Sequence, residues 1–589
     1  MSSKRSNNSV WKLLLPADTL PSTLVDAVVT AYGAQVDHES GKQELIPVPL
    51  DQPIPGVRLD LYVRNSYSTG LLPLVRAYLC RKDDAAILHV KGADALLFLS
   101  TESNVFVVTS GAAYRIIADF VDYHFPFETA KKLISNNFTA ADVRDMTGST
   151  LTRSATYRRV YSIEKSEAMD TIWKKLVGRL DTERINGDNI LSEIVNLDRP
   201  PAVEIKSAFV LRQRMDLAGI CKLIQCLESL PEPSEEYRRE LAFLDNLYPI
   251  RNEKELAKNL TREFIDSIRR ELLGAETPDL DVLDPYEVTT FTAGVDFRLG
   301  GTALGDYAPG IDDLTPLLMA DLGAYLEDPQ RFCNEFLKLT LSYQIDPDDT
   351  SKRIRHKLLD FLHGQVDLAD ATYFRIDKVW YRSLGDFLEN LRNDFIDDVF
   401  KSGNPISLGS EVEFLRWTDG DEHSFNELQA TEADFYFGDE VFAKARGGKV
   451  ELFDLLKVDE AGGKVYVIHT KKGFGVKMRD ACSQIRISAD TIEGDLDNGK
   501  KVLSKYYQEE WSKVTSNSST DEATFLSWFD LRRVYVVLCS TGYTFDAPDF
   551  VRNRLRSHIA RREVLATRNE LKGRGRQFRL AHTRNGSDL

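Results

Sequence analysis

The sequence predicts a multidomain α/β chain, of the α+β kind, that ends in a mixed-sheet domain. Three observations lead there. The chain has 589 residues, more than one hydrophobic core supports, since domains usually run to about 100–200 residues. Short runs rich in β-branched and aromatic residues alternate with stretches of helical spacing. Toward the C-terminus, Lys449–Leu456 and Lys464–Lys471 read as strands on either side of turn residues ending in Gly462-Gly463, and a helical pattern follows over 476–492.

Residues 1–135 read as an N-terminal α/β domain. Val10–Leu15, Leu59–Val63, Ala85–Val90, Leu96–Ser100 and Asn104–Val108 have strand composition, and Leu71–Leu79 and Ala113–Tyr123 have helical spacing. Residues 136–402 read as a helix-rich middle region. Ser166–Leu180, Ser234–Leu247, Glu253–Leu273 and Tyr381–Val399 are its predicted helices, Thr372–Val379 a strand, and Gly-rich Phe297–Gly310 a loop. After a Gly/Pro/Ser linker near Ser402–Gly409, residues 403–589 read as a C-terminal α/β domain with a basic tail, in which Val534–Ser540 is a further strand.

Composition sets bounds. Apolar content of 42% and charged content of 28% are ordinary globular values. The longest apolar stretch, Ala85–Leu99, is interrupted by His89, Lys91 and Asp94, whereas a spanning helix needs about 20 nearly uncharged residues. The N-terminal segment has no small-residue cleavage site after its short apolar run, so a cytoplasmic protein without membrane contact is expected. Six scattered cysteines form no C-x-x-C pair and read as buried thiols. The net charge of −16 argues against a surface coated with nucleic acid, but residues 551–586 carry eleven Lys/Arg against two acids. Such a patch suits local phosphate binding, and equally a solvated helix face balanced by acids elsewhere.

The register of the C-terminal hairpin matters most. With the turn centred between Ala461 and Gly462, Asp454 faces His469, and Lys471 falls on the same side two residues on. The helix that follows carries Lys477, Arg479, Gln484 and Arg486, and Gln484 is placed to turn back toward the hairpin. A surface hairpin with an Asp–Lys ion pair would give the same pattern.

This order of a strand with Asp, a turn, a strand with x-x-Lys and a helix with Gln resembles the core of PD-(D/E)xK nucleases of the RecB-like branch. The resemblance implies that Asp454 and His469 hold a divalent metal (Mg²⁺ or Mn²⁺), that Lys471 positions water and phosphate, and that Gln484 orients the site. His469 stands where that family expects a carboxylate, which shifts the preference toward Mn²⁺. Glu451 is counted with the catalytic set, and Glu427 and Asp439 are further carboxylates that could make up the ligands. Lys472, Lys477, Arg479, Arg486, Arg574 and Arg576 are the expected nucleic-acid contacts, the last two on a basic turn at the rim of the site.

A second resemblance spans the chain. Ala85–Phe98 with Asn104–Arg115, Val143–Arg153 with Arg158-Arg159, Tyr373–Asp377 with Trp380-Tyr381, and Glu451–Lys471 together resemble a sporadically distributed, uncharacterised family of bacterial proteins found beside mobile elements and phage-defence genes. It implies a nucleic-acid-directed defence protein, with DNA or RNA as partner and a phage-encoded trigger or a partner defence protein besides. The competing expectation is a non-catalytic protein that binds nucleic acid or a phage protein.

Overall fold

The computed structural model describes residues 9–38, 44–50, 54–65, 93–145, 153–161, 171–185, 189–274, 279–282, 297–305, 311–344, 353–369, 371–384, 386–400, 406–408, 411–417, 420–445, 448–475, 477–540 and 555–583. Leu71–Leu79, Ala85–Val90 and most of the Ser402–Gly409 linker lie outside them. Two compact units divide at Ala257/Lys258. The fold is α+β in both.

In the first unit ten of the described strands form an antiparallel sheet in the order Ile46–Val48, Arg58–Asn65, Ala93–Ser100, Val105–Ser110, Ser9–Lys12, Phe209–Leu211, Ala202–Ile205, Thr171–Leu180, Ile134–Asp145, Arg153–Tyr161. The sheet therefore continues through the boundary expected at 135. Thr171–Leu180 is a strand, not part of the predicted helix Ser166–Leu180. Its buried Ile172, Leu176 and Leu180 are four apart, a spacing that fits a helical stripe and one face of a strand equally; pairing with Ile134–Asp145 and Ala202–Ile205 decides the matter. The helix expected over Ala113–Tyr123 is reduced to Tyr114–Ile117.

The second unit begins within the amphipathic helix Lys254–Leu272, a helix predicted over Glu253–Leu273, with Leu260, Phe264, Ile265 and Ile268 buried. Phe297–Gly310 contains a hairpin where a loop is expected: Leu299 pairs with Thr302 across Gly300-Gly301, whose φ values of 62° and 145° suit a two-residue turn that side chains rarely allow. Antiparallel pairing joins Leu280–Val282, Leu362–Leu368, Ala371–Ile376 and Val379–Ser383, and the helix Phe387–Phe400 follows.

The C-terminal part of this unit carries the site. Its elements are α1 (Glu422–Gln429), β1 (Phe435–Phe437), β2 (Leu455–Asp459), β3 (Lys464–Lys472), α2 (Met478–Leu496), β4 (Arg532–Ser540), α3 (His558–Gly573) and β5 (Gln577–Thr583). The sheet order is β1-β2-β3-β4-β5, antiparallel through β3 and parallel from β3 to β5. One face packs Leu455, Tyr466, Ile468, Val536 and Leu538 against Trp417 and Phe425. The other is covered by α2, whose buried Met478, Ala481, Cys482, Ile485, Ser488, Ala489 and Ile492 recur every three or four residues.

Candidate functional site

The β2–β3 register is the one the sequence predicts: Leu455 pairs with Ile468 and Asp459 with Lys464, with Gly463 in the turn at a φ of 63°. Lys449–Leu456, however, is not one strand. Gly448–Glu451 pairs with Phe442–Ala445 in a separate ribbon, and the chain then bends through Leu452–Asp454 into β2. The bend is held at Asp454, whose N–H donates to Ile468 O at 2.9 Å and whose carbonyl accepts from Gly438 N–H at 2.9 Å. Gly438 is required there, since a Cβ would meet the Phe453 ring at 2.4 Å. The consequence is that Glu451 is carried in beside Asp454.

Glu451, Asp454 and His469 each offer a ligand atom, all within 4.8 Å of one another. His469 Nδ1 lies 2.8 Å from Asp454 Oδ1, and Thr470 donates to Asp454 Oδ2 from its N–H at 2.7 Å and its hydroxyl at 3.1 Å. His469 Nε2 lies 2.9 Å from Ser488 Oγ, and that hydroxyl donates to Glu451 O at 3.1 Å. Gln484 Nε2 donates to Glu451 Oε2 at 3.1 Å, while Glu440 N–H donates to Glu451 Oε1 at 2.6 Å. Lys471 Nζ donates to Glu422 Oε2 at 2.7 Å. Asp454, His469, Gln484 and Glu451 are thus brought together, with Lys471 at the edge.

The charges are unevenly balanced. Burial works against the Asp454 carboxylate, but His469, the Thr470 N–H and Lys471 outweigh it and hold its pKa below the ordinary value. Burial, and then the Asp454 charge, push Glu451 up to about 8. The same two causes raise Asp439 to about 6, despite contacts from Asn426 Nδ2 at 3.2 Å and His423 Nδ1 at 3.0 Å. Burial opposes the Lys471 ammonium, and Glu422 more than restores it, so its pKa is raised. Tyr506 is fully enclosed near these acids, which with burial raise its hydroxyl well above the usual value. Buried carboxylates that exclude one another's charge are a setting a divalent cation would relieve.

Asp454, His469 and Ser488 have the bond order of a hydrolase triad. Here Ser488 is fully buried at the α2–sheet interface and its hydroxyl donates to a backbone carbonyl, so a substrate has no path to it. Its role is to hold the imidazole.

The expected basic contacts are spread out. Lys472 and Lys477 follow Lys471 at the same end of the sheet, and Lys472 Nζ donates to Gly420 O at 3.0 Å, whereas Arg479 is buried, 3.4 Å from Asp480, and is not a surface contact. Arg486 turns to α3, 3.4 Å from Glu563 and 3.6 Å from Glu570. Arg574 and Arg576 both pair with Asp490. Arg576 precedes Gln577, which is level with Val534 and so with Tyr466. At ~3.3 Å per residue, the basic turn therefore lies about 20 Å along the strands from Lys471, not at the rim of the site. Glu427, 66% exposed and 3.8 Å from His423, stands outside the acid cluster.

Ser488 was legible in principle, because it lies four residues after Gln484 on one helical face. Glu422, Thr470 and Tyr506 carry no sequence signal that ties them to the site.

Fold and site together define an α+β protein with a buried acid–histidine cluster edged by lysine. The chain belongs to a family of unknown function (DUF6119), whose model matches residues 38–550 and so includes Asp454, His469, Lys471 and Gln484. No curated protein and no solved structure matches it. Among the described residues no helix is long and apolar enough to cross a membrane.

Proposed function

We propose that the C-terminal part of this protein carries out metal-dependent phosphodiester hydrolysis on DNA or RNA, as a divergent nuclease of PD-(D/E)xK type serving bacterial defence. The observation that carries the reading is the convergence of Glu451, Asp454 and His469 within 4.8 Å, on a β2–β3–α2 order that also brings Gln484 onto Glu451. The defence role rests on the family resemblance alone.

The donor set fits a divalent cation. Glu451 and Asp454 are the hard oxygen ligands, Asp439 is a further carboxylate that acts on Glu451 and is itself acted on by Asp454, and His469 widens the choice toward Mn²⁺. A bound cation would supply Lewis-acid activation of the phosphodiester and of water. The chain's own residues do the rest. Thr470 and His469 fix the Asp454 carboxylate, Gln484 and Glu440 N–H fix Glu451, and Lys471 presents its ammonium to a phosphate oxygen. Lys472 and Lys477 continue the positive edge along which a backbone would lie.

Full-length protein incubated with Mg²⁺ or Mn²⁺ and single- or double-stranded DNA or RNA should cut at least one of them. Asp454→Ala and Lys471→Ala should each lower cutting by about 10²-fold or more. Cutting that survives both substitutions removes the active-site assignment. The second reading, a non-catalytic nucleic-acid- or phage-protein-binding protein, is favoured by one feature: both His469 nitrogens already face protein partners, Asp454 and Ser488. It expects salt-sensitive binding without turnover in any divalent metal.

A further inference from the structure

Glu422 is held where an anionic substrate would be held. Its Oε2 accepts from Lys471 Nζ at 2.7 Å, and its Oε1 accepts from Lys472 N–H at 3.0 Å. An ammonium and an adjacent backbone N–H, gripping two oxygens of one anion, are the donors that would grip two non-bridging oxygens of a phosphate. The pair is also reachable. The Lys471 and Glu422 side chains are 19% and 28% exposed, whereas His469 behind them has no exposure.

The carboxylate is fixed in place by its element. Asp421 caps α1 through Ser424 N–H at 2.8 Å, and Phe425 stacks on Trp417 with ring centroids 4.2 Å apart. Glu422 therefore enters from the first turn of an anchored helix, with both oxygens committed to the lysine pair.

We infer that Glu422 is a built-in stand-in for the substrate phosphate, occupying the Lys471–Lys472 oxyanion subsite in the resting protein so that a phosphodiester must displace it to bind. This rests on the reading above, in which Lys471 faces phosphate. Displacement leaves Glu422 without its cation and beside a new anion, so a single phosphate gains little. A strand that makes further contacts along Lys472 and Lys477 gains the remainder. The subsite thereby favours a polymer over a free phosphate ion.

The test uses the full chain without divalent metal and two probes, inorganic phosphate and a single-stranded oligonucleotide. Glu422→Gln keeps the shape and removes the competing charge. It should tighten the binding of both probes by about tenfold, the scale of one freed charge contact. It should also steepen the oligonucleotide salt slope by about 0.7, the single-strand value for one more phosphate contact. Adding Lys471→Met should erase both gains. Glu422→Asp, one methylene shorter, should give a smaller gain and serves if the glutamine variant fails to fold. Unchanged or weaker phosphate binding in a folded Glu422 variant overturns the inference. Tighter phosphate binding without oligonucleotide binding upholds the subsite and counts against nucleic acid as the substrate.

Discussion

The two ends of the parallel strands β3, β4 and β5 are both rich in charge and differ in how it is balanced. At the start of the strands Glu493 accepts from Arg533 Nε and the Tyr535 hydroxyl, each at 2.8 Å, and Asp490 takes Arg574 and Arg576. Burial opposes both acids there, but these donors outweigh it and their pKa values are lowered. At the finish, Glu451 and Asp439 are raised because burial and Asp454 outweigh the opposing pull of Lys471 on the one and of Asn426 and His423 on the other. One end is a completed structural network. The other is short of positive charge, the condition under which perturbed groups mark function.

Asp454→Ala should break this contrast most. It removes the acceptor for His469 and for the Thr470 N–H and hydroxyl, leaving buried donors unmet. A loss of about 3–5 kcal/mol in unfolding free energy is expected, with loss of divalent-cation binding. Denaturant titration and calorimetric metal binding would show it. Metal binding unchanged in a folded variant would move the cation site elsewhere.

Glu451 gives a pH signature. Its folded pKa of about 8 lies above the ordinary carboxylate value, so between roughly pH 4.5 and 8 the native state holds a proton that the unfolded chain has released. Stability should therefore fall as pH rises through that window, by on the order of a few kcal/mol. Asp439 adds the same sign up to about 6, and lowered Asp454 the opposite sign at more acid pH. A divalent cation should flatten the decline, and Glu451→Gln should remove most of it. A flat profile in the parent without metal would place the proton elsewhere.

Ser488→Ala tests the holding role. It leaves His469 Nε2 and Glu451 O without their hydroxyl partner, and about 1–3 kcal/mol should be lost. Cutting should fall by much less than in Lys471→Ala. Equal losses in the two variants would revive the hydrolase-like reading of the triad.

The smallest effect should come from the balanced end. Charge reversal at Arg574 and Arg576 should alter the oligonucleotide salt slope by less than one phosphate contact, about 0.7 for a single strand, because these side chains answer Asp490 about 20 Å along the strands from Lys471. A drop of two such units would place nucleic acid at that end instead.

How much of this the sequence held depends on the range of the interaction. The β2–β3 hairpin was legible, because alternation and a Gly-Gly turn fix register locally, and register alone brings Asp454 to His469. The α2 stripe and the strand over Val534–Ser540 were legible as well, from side-chain period in the one and a β-branched, aromatic run in the other. Thr171–Leu180 was misread because four-residue spacing satisfies two periods at once, and only its strand neighbours choose between them.

The sequence by itself determined the α+β class, the pairing of Asp454 with His469 and the placing of Lys471 and Gln484 on elements that follow. These are short-range consequences of side-chain period and turn chemistry. The tertiary structure decided that Glu451 breaks from its strand to join Asp454, that Glu422 from α1 occupies Lys471, and that the basic turn lies at the far end of the sheet. Each of these depends on segments separated by tens of residues meeting in space, and burial, which sets the charge state of Glu451, exists only once they have met.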